Sequence, residues 1–150
     1  MIGEKIFGIS VFLCLICERI KTLKNLQMTK QEIGLLGEEA AANLLIQKGY
    51  KILNRNFRAG RLEIDIVALK DNMLVFVEVK TRDENFLYSP ESAVNRRKQN
   101  HIISAARFYI GRFKRTEEAR LDVITVLHKN GQITDIKHYE RAYFPRPRRF

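Results

Sequence analysis

Two apolar runs carry acids at a spacing that could do chemistry: Arg61-Leu62-Glu63-Ile64-Asp65-Ile66-Val67-Ala68, and Met73-Leu74-Val75-Phe76-Val77-Glu78-Val79-Lys80, with Asp71-Asn72 between them. Side chains alternate faces along a strand, so Glu78 and Lys80 share one. If Asp71-Asn72 closes a two-residue hairpin loop, Asp65 lies opposite Glu78 and Glu63 opposite Lys80. Opposed carboxylates, with β-carbons roughly 5 Å apart, repel one another, and the flanking Phe76, Val77 and Val79 make the surroundings apolar. A divalent cation between them would resolve the conflict. Oxygen-only ligands suit Mg²⁺ or Mn²⁺, which keep several waters and also take a phosphate oxygen. Such an ion acidifies a water and offsets transition-state charge, while Lys80 orients that water or neutralises the same charge; this is the chemistry of phosphodiester hydrolysis. Taken alone, Glu-x-Lys in a strand is commonly no more than a solvated pair. The opposed Asp65 is what sets this one apart.

These residues need a sheet and helices to hold them. Thr29-Lys30-Gln31-Glu32 has the form of a capping box, and Ile33, Leu36, Ala40 and Leu44 continue at helical spacing to a stop at Gly49. Tyr50 to Phe57, Arg61 to Leu69 and Met73 to Lys80 read as three strands. Ser89-Pro90-Glu91 opens a second helix that runs to Gly111. Leu121 to His128 and Gln132 to Tyr139 form a hairpin around Asn130-Gly131. The order αβββαββ predicts one α/β domain, a mixed β-sheet flanked by helices, over residues 29–144. Residues 145–150 are a basic tail with Pro145 and Pro147.

Asp65 followed by Glu78-Val79-Lys80, with a glutamate on a preceding helix, resembles the PD-(D/E)xK nuclease superfamily, whose restriction-endonuclease-like fold includes Holliday junction resolvases. The closer resemblance is to the YraN-like family of bacterial proteins. It rests on Gly34-x-x-Gly37-Glu38-x-x-Ala41, Gly49-Tyr50, Asn56, Glu63-Ile64-Asp65, Phe76-Val77-Glu78-Val79-Lys80-x-Arg82, Ala93-Val94, Lys98 and Asp122-Val123, and spans roughly Lys30 to Phe144. The resemblance implies Glu38 as a helix-borne acid and metal ligand, Asp65 and Glu78 as metal ligands, and Lys80 as the catalytic lysine. Of the neighbouring Glu38 and Glu39, the preceding Gly37 favours Glu38, because a glycine lets the helix approach the sheet closely. Glu63 is expected to pair with Lys80 or Arg61, with a metal-ligand role held in reserve.

The net charge of +10 on 150 residues points to a polyanionic partner. Between Ser92 and Thr116 lie seven basic residues and no acid. Beside a candidate phosphodiesterase site, that one-sided run reads as a phosphate-backbone footprint, with Arg82, Arg96, Arg97 and Lys98 as contacts and Lys98 nearest the site. DNA stands ahead of RNA as the partner, and a homodimer stays open. Cys14 and Cys17 offer neither a disulfide framework nor a four-thiolate zinc site; no glycine loop cradles ATP, and His101, His128 and His138 read as structural. Residues 6–17 are apolar but too short to span a bilayer and lack the flanks of an export signal, so a cytoplasmic location is expected. Residues 1–28 read as an extension the domain can do without, with a membrane-touching helix as the alternative. The function that follows is a Mg²⁺- or Mn²⁺-dependent DNA endonuclease acting on branched or structured DNA; the alternative is a nucleic-acid-binding protein that keeps the fold and does not cleave.

Overall fold

The computed structural model describes residues 28–85 and 96–142, with only the backbone of Arg96 and Arg97. Helix α1 spans Lys30–Gln47 and begins on the expected capping box: Thr29 Oγ1 accepts from the Glu32 N–H at 3.2 Å, and Glu32 Oε2 accepts from the Thr29 N–H at 2.7 Å. It stops before Gly49, whose φ of 82° is a conformation that costs other residues more. Strands β1 (Lys51–Ala59), β2 (Leu62–Lys70) and β3 (Met73–Asp83) form an antiparallel meander. Helix α2 (Arg96–Arg112) then crosses over so that β4 (Glu118–Lys129) lies parallel to β3, and β5 (Gln132–Tyr139) returns antiparallel to β4.

Two of the three two-residue hairpin turns carry left-handed pairs: Asp71 and Asn72 have φ of 47° and 60°, and Asn130 and Gly131 have 51° and 78°. In the third, between β1 and β2, only Gly60 has positive φ, at 62°. The sheet order is β1-β2-β3-β4-β5. Its central strand β3 is apolar from Met73 to Val77, where both faces are covered. On one face Val75, Val77 and Val79 pack with Ala41, Ala42 and Leu45 of α1. On the other, Leu74 and Phe76 pack with Ile102, Ala105 and Tyr109 of α2. The mixed sheet flanked by helices and the order αβββαββ are those the sequence predicts. Strand β1 begins one residue after Tyr50, whose ring is instead buried in the α1-side core. Strand β4 begins three residues before Leu121, where Glu118 pairs with Met73. The expected start of the second helix at Ser89 and the calls on residues 1–27 and 143–150 lie outside the described residues.

Gly37 is where α1 touches the sheet. A Cβ there would sit 1.9 Å from Thr81 Oγ1 and 3.0 Å from Thr81 Cβ, so the close approach exists only because the side chain is absent. Gly37→Ala is expected to destabilise the fold by about 1–3 kcal/mol through overpacking. Adding Thr81→Ala, which clears the nearest atom, should restore part of that loss. Denaturant midpoints of the two variants measure this; an unshifted midpoint for Gly37→Ala would refute the contact.

A buried polar cluster joins β4, β5 and Arg141. Asp122 accepts from Arg120 Nε at 2.9 Å and from the Arg141 N–H at 2.9 Å, and is hydrogen-bonded to His138 Nε2 at 2.9 Å. Burial alone would push its carboxyl up, but the bonds with His138, Arg120 and Arg141 outweigh burial and hold it below the ordinary range. His138 therefore has the structural role expected of it.

Candidate metal centre and phosphate-facing surface

Glu78 sits mid-way along β3 on the face that carries Leu74 and Phe76, and its side chain is only 2% exposed. Its Oε1 forms an ion pair with Lys80 Nζ, two residues on along the strand and 17% exposed. The same oxygen lies 3.2 Å from Lys98 Nζ, which reaches it from the first turn of α2. Glu78 Oε2 is buried without a hydrogen-bond partner among the described residues. One oxygen thus holds two ammonium groups while the other is bare.

The hairpin register is the expected one as far as it runs: Lys70 pairs with Met73, Leu69 with Leu74, and so on to Ile66 with Val77. There the β2–β3 ladder ends. Instead of a strand pair with Glu78, Asp65 Oδ2 accepts the Val79 N–H at 2.7 Å, substituting a side-chain acceptor for a backbone one. On the other side, the register pairs Arg55 with Ile66 and Phe57 with Ile64. Asn56 and Asp65 lie between those pairs, and Asn56 has a φ of 49°. The alternation of β2 breaks at this point, because Ile66 packs in the α1-side core and Ile64 in the α2-side core. Only this distortion of the sheet brings the Asp65 carboxylate to the Val79 amide. Asparagine tolerates a left-handed backbone, so Asn56 within a strand was the available signal for it.

Burial first and the charge of Glu78 second push the Asp65 carboxyl up to about 6, against the opposing pull of the Val79 N–H, Lys98 and Lys80. The pair carries the mutual repulsion that a cation would relieve. All-oxygen donors and a bare buried carboxylate oxygen fit a hard divalent ion. Among the described residues no three His, Cys, Asp or Glu side chains form a group able to hold a metal. The fit is therefore to an ion held by Asp65 and Glu78, with water and substrate oxygens completing its shell, a usual arrangement for Mg²⁺.

The remaining predicted residues are placed less centrally. Glu38 follows Gly37 on α1, the helix packed on the face opposite Glu78, and its Oε2 is buried without a partner among the described residues. It does not complete a three-acid group with Asp65 and Glu78. Glu63 pairs with neither Lys80 nor Arg61: its carboxylate meets Arg58 Nη2 at 3.3 Å. The reason is topological, since this end of β2 stays paired to β1 after leaving β3. Arg82 is exposed, donating from Nη1 to the Thr81 carbonyl at 3.0 Å. Arg96 and Arg97 open α2, and their side chains lie outside the described residues. Among the described side chains of the run, Lys98 reaches the acids, a direct contact with Glu78 that sequence spacing did not reveal. No helix among the described residues is long and apolar enough to cross a membrane.

The description "Uncharacterised protein family UPF0102" matches residues 37–126, a range that takes in Glu38, Asp65, Glu78, Lys80 and Lys98. A UPF0102 protein of Bacteroides thetaiotaomicron is 43% identical over 114 residues, covering 76% of this chain and 93% of its own length. A UPF0102 protein of Thermodesulfovibrio yellowstonii is 40% identical over 117 residues, covering 78% of this chain and all of its own length. One from Syntrophomonas wolfei is 44% identical over 114 residues, covering 75% and 98%. With a family match over more than half its length and relatives at this identity, the chain belongs to the UPF0102, or YraN-like, family.

Proposed function

We propose that this protein is a divalent-cation-dependent nuclease that hydrolyses phosphodiester bonds in DNA, with branched or structured DNA as the leading substrate class. The observation that carries the reading is the acid pair at the point where β2 leaves β3, with Glu78 Oε2 buried and bare and the Asp65 carboxyl raised. Asp65 and Glu78 are the residues that would hold Mg²⁺ or Mn²⁺, with Glu38 as a further acid on α1. When bound, the ion supplies positive charge against the scissile phosphate and acidifies water. Lys80, fixed by Glu78 on the same face, orients the attacking water or neutralises charge developing on the phosphate. Arg82, Arg96, Arg97 and Lys98 supply backbone contacts that position the duplex.

The absence of a three-acid group among the described residues favours a second reading, a protein that binds nucleic acid and does not cut it. A cleavage screen in Mg²⁺ and Mn²⁺ over linear, nicked, flapped and four-way DNA, with RNA counterparts, separates the two. Cleavage abolished by EDTA supports the nuclease; wild-type protein that cuts none of them supports the binder.

DNA affinity is expected to survive EDTA and to fall steeply with salt, because the cations supply most of it. Replacing Arg96, Arg97 and Lys98 together should lower the slope of log affinity against log salt by about three at most. A wild-type slope in that triple variant would place the footprint elsewhere.

A further inference from the structure

Among the described residues, Glu78 has two cations on one oxygen and none on the other. Lys80 is mostly buried and belongs to the same strand. Lys98 is different: its side chain is 41% exposed, it sits on a flexible four-carbon stem, and it comes from another element. The first turn of α2 holds Arg96, Arg97 and Lys98 and no acid. A cation in the first turn of a helix opposes its dipole, and Lys98 is paired there with Glu78 at 3.2 Å. A divalent cation arriving at Asp65 and the bare Glu78 Oε2 would meet this ammonium as a like charge on the other oxygen of the same carboxylate. A phosphate group near the start of α2 would offer Lys98 a competing anion, and it would also match the dipole.

We propose that Lys98 is a resident counter-ion on Glu78 that a substrate phosphate draws away, freeing the carboxylate for a divalent cation and so coupling metal binding to DNA binding. This rests on the metal-binding reading of Asp65 and Glu78 given above. The coupling is reciprocal: DNA tightens the ion, and the ion tightens DNA by the same factor. Lys80 stays on Glu78 in both states, since its place on the strand fixes it there. The metal site is thereby kept weak until nucleic acid is present.

Mn²⁺ affinity measured by calorimetry, with and without a short DNA duplex, tests the inference on wild type, Lys98→Met and Lys98→Arg. Without DNA, Lys98→Met should bind Mn²⁺ about tenfold or more tighter than wild type. With DNA, wild type should tighten by a similar factor and Lys98→Met should not. Lys98→Arg, which keeps the charge, should preserve the coupling. Equal or weaker Mn²⁺ binding by Lys98→Met, or a DNA effect of wild-type size in it, overturns the inference while leaving the metal site standing. Mn²⁺ binding by none of the three, with or without DNA, overturns the site itself and this inference with it. Circular dichroism melts of the variants establish that each is folded before titration.

Discussion

Lys80→Ala is expected to slow single-turnover cleavage by a factor on the order of 10² or more while leaving Mn²⁺ and DNA binding in place, the usual result of losing one positioned electrostatic group. The fold should tolerate the change because Glu78 does not become an unpaired buried charge: Lys98 remains on the same oxygen at 3.2 Å. Binding should persist because Lys80 is a small part of the cationic surface, and because the acids that would hold the ion are untouched. The measurement uses enzyme in excess over the best substrate of the cleavage screen, in Mg²⁺ and in Mn²⁺. Cleavage by Lys80→Ala at the wild-type rate would show that the activity belongs to another site or another protein.

Asp65→Asn is expected to abolish Mn²⁺ binding and, in the absence of metal, to make the protein more stable above pH 6. The first effect follows from removing one of two ligand charges. The second follows from the direction of the Asp65 shift, from 3.8 to about 6, caused first by burial and next by Glu78. Because the folded state holds this proton more tightly than the unfolded chain, the stability it contributes is full below pH 3.8. That stability is lost as pH rises through about 6. Above that, the ionised carboxylate costs up to about 3 kcal/mol, which a neutral amide avoids while its oxygen can still accept from the Val79 N–H. Urea unfolding should therefore separate the variant from wild type at pH 8 and bring them together near pH 4. Mn²⁺ should in turn stabilise the wild type and not the variant, with wild-type affinity falling as protons compete below about pH 6. Glu78→Gln should share the loss of metal. Undiminished Mn²⁺ binding in both variants would discard the metal assignment, and equal stability at pH 8 would discard the upward shift of the Asp65 carboxyl.

Features decided within a few residues of chain were legible without a structure. Thr29 and Glu32 cap α1 because both partners lie within one turn. Asp71-Asn72 and Asn130-Gly131 adopt left-handed turns because such residues tolerate them, and a two-residue loop then fixes the register out to Ile66 and Val77. The pattern of apolar runs likewise determined the order αβββαββ, and the family pattern of acids and lysine singled out Asp65, Glu78 and Lys80. Sheet geometry and packing between distant elements decided the rest. Extending the hairpin register past Ile66 puts Asp65 opposite Glu78 and Glu63 opposite Lys80, but register assumes a regular ladder. The left-handed Asn56 and the departure of β2 from β3 send Asp65 to the Val79 amide and Glu63 to Arg58. Lys98 is twenty positions from Glu78, and only the crossover of α2 over the sheet brings its ammonium to that carboxylate. Glu38 shows the same limit: the glycine beside it signalled that α1 presses closely on the sheet, while the contact with Thr81 and the face it presses on were decided by the packing. Short-range turn and cap chemistry is written in neighbouring residues, whereas the meeting of side chains across a twisted sheet depends on how the whole core packs.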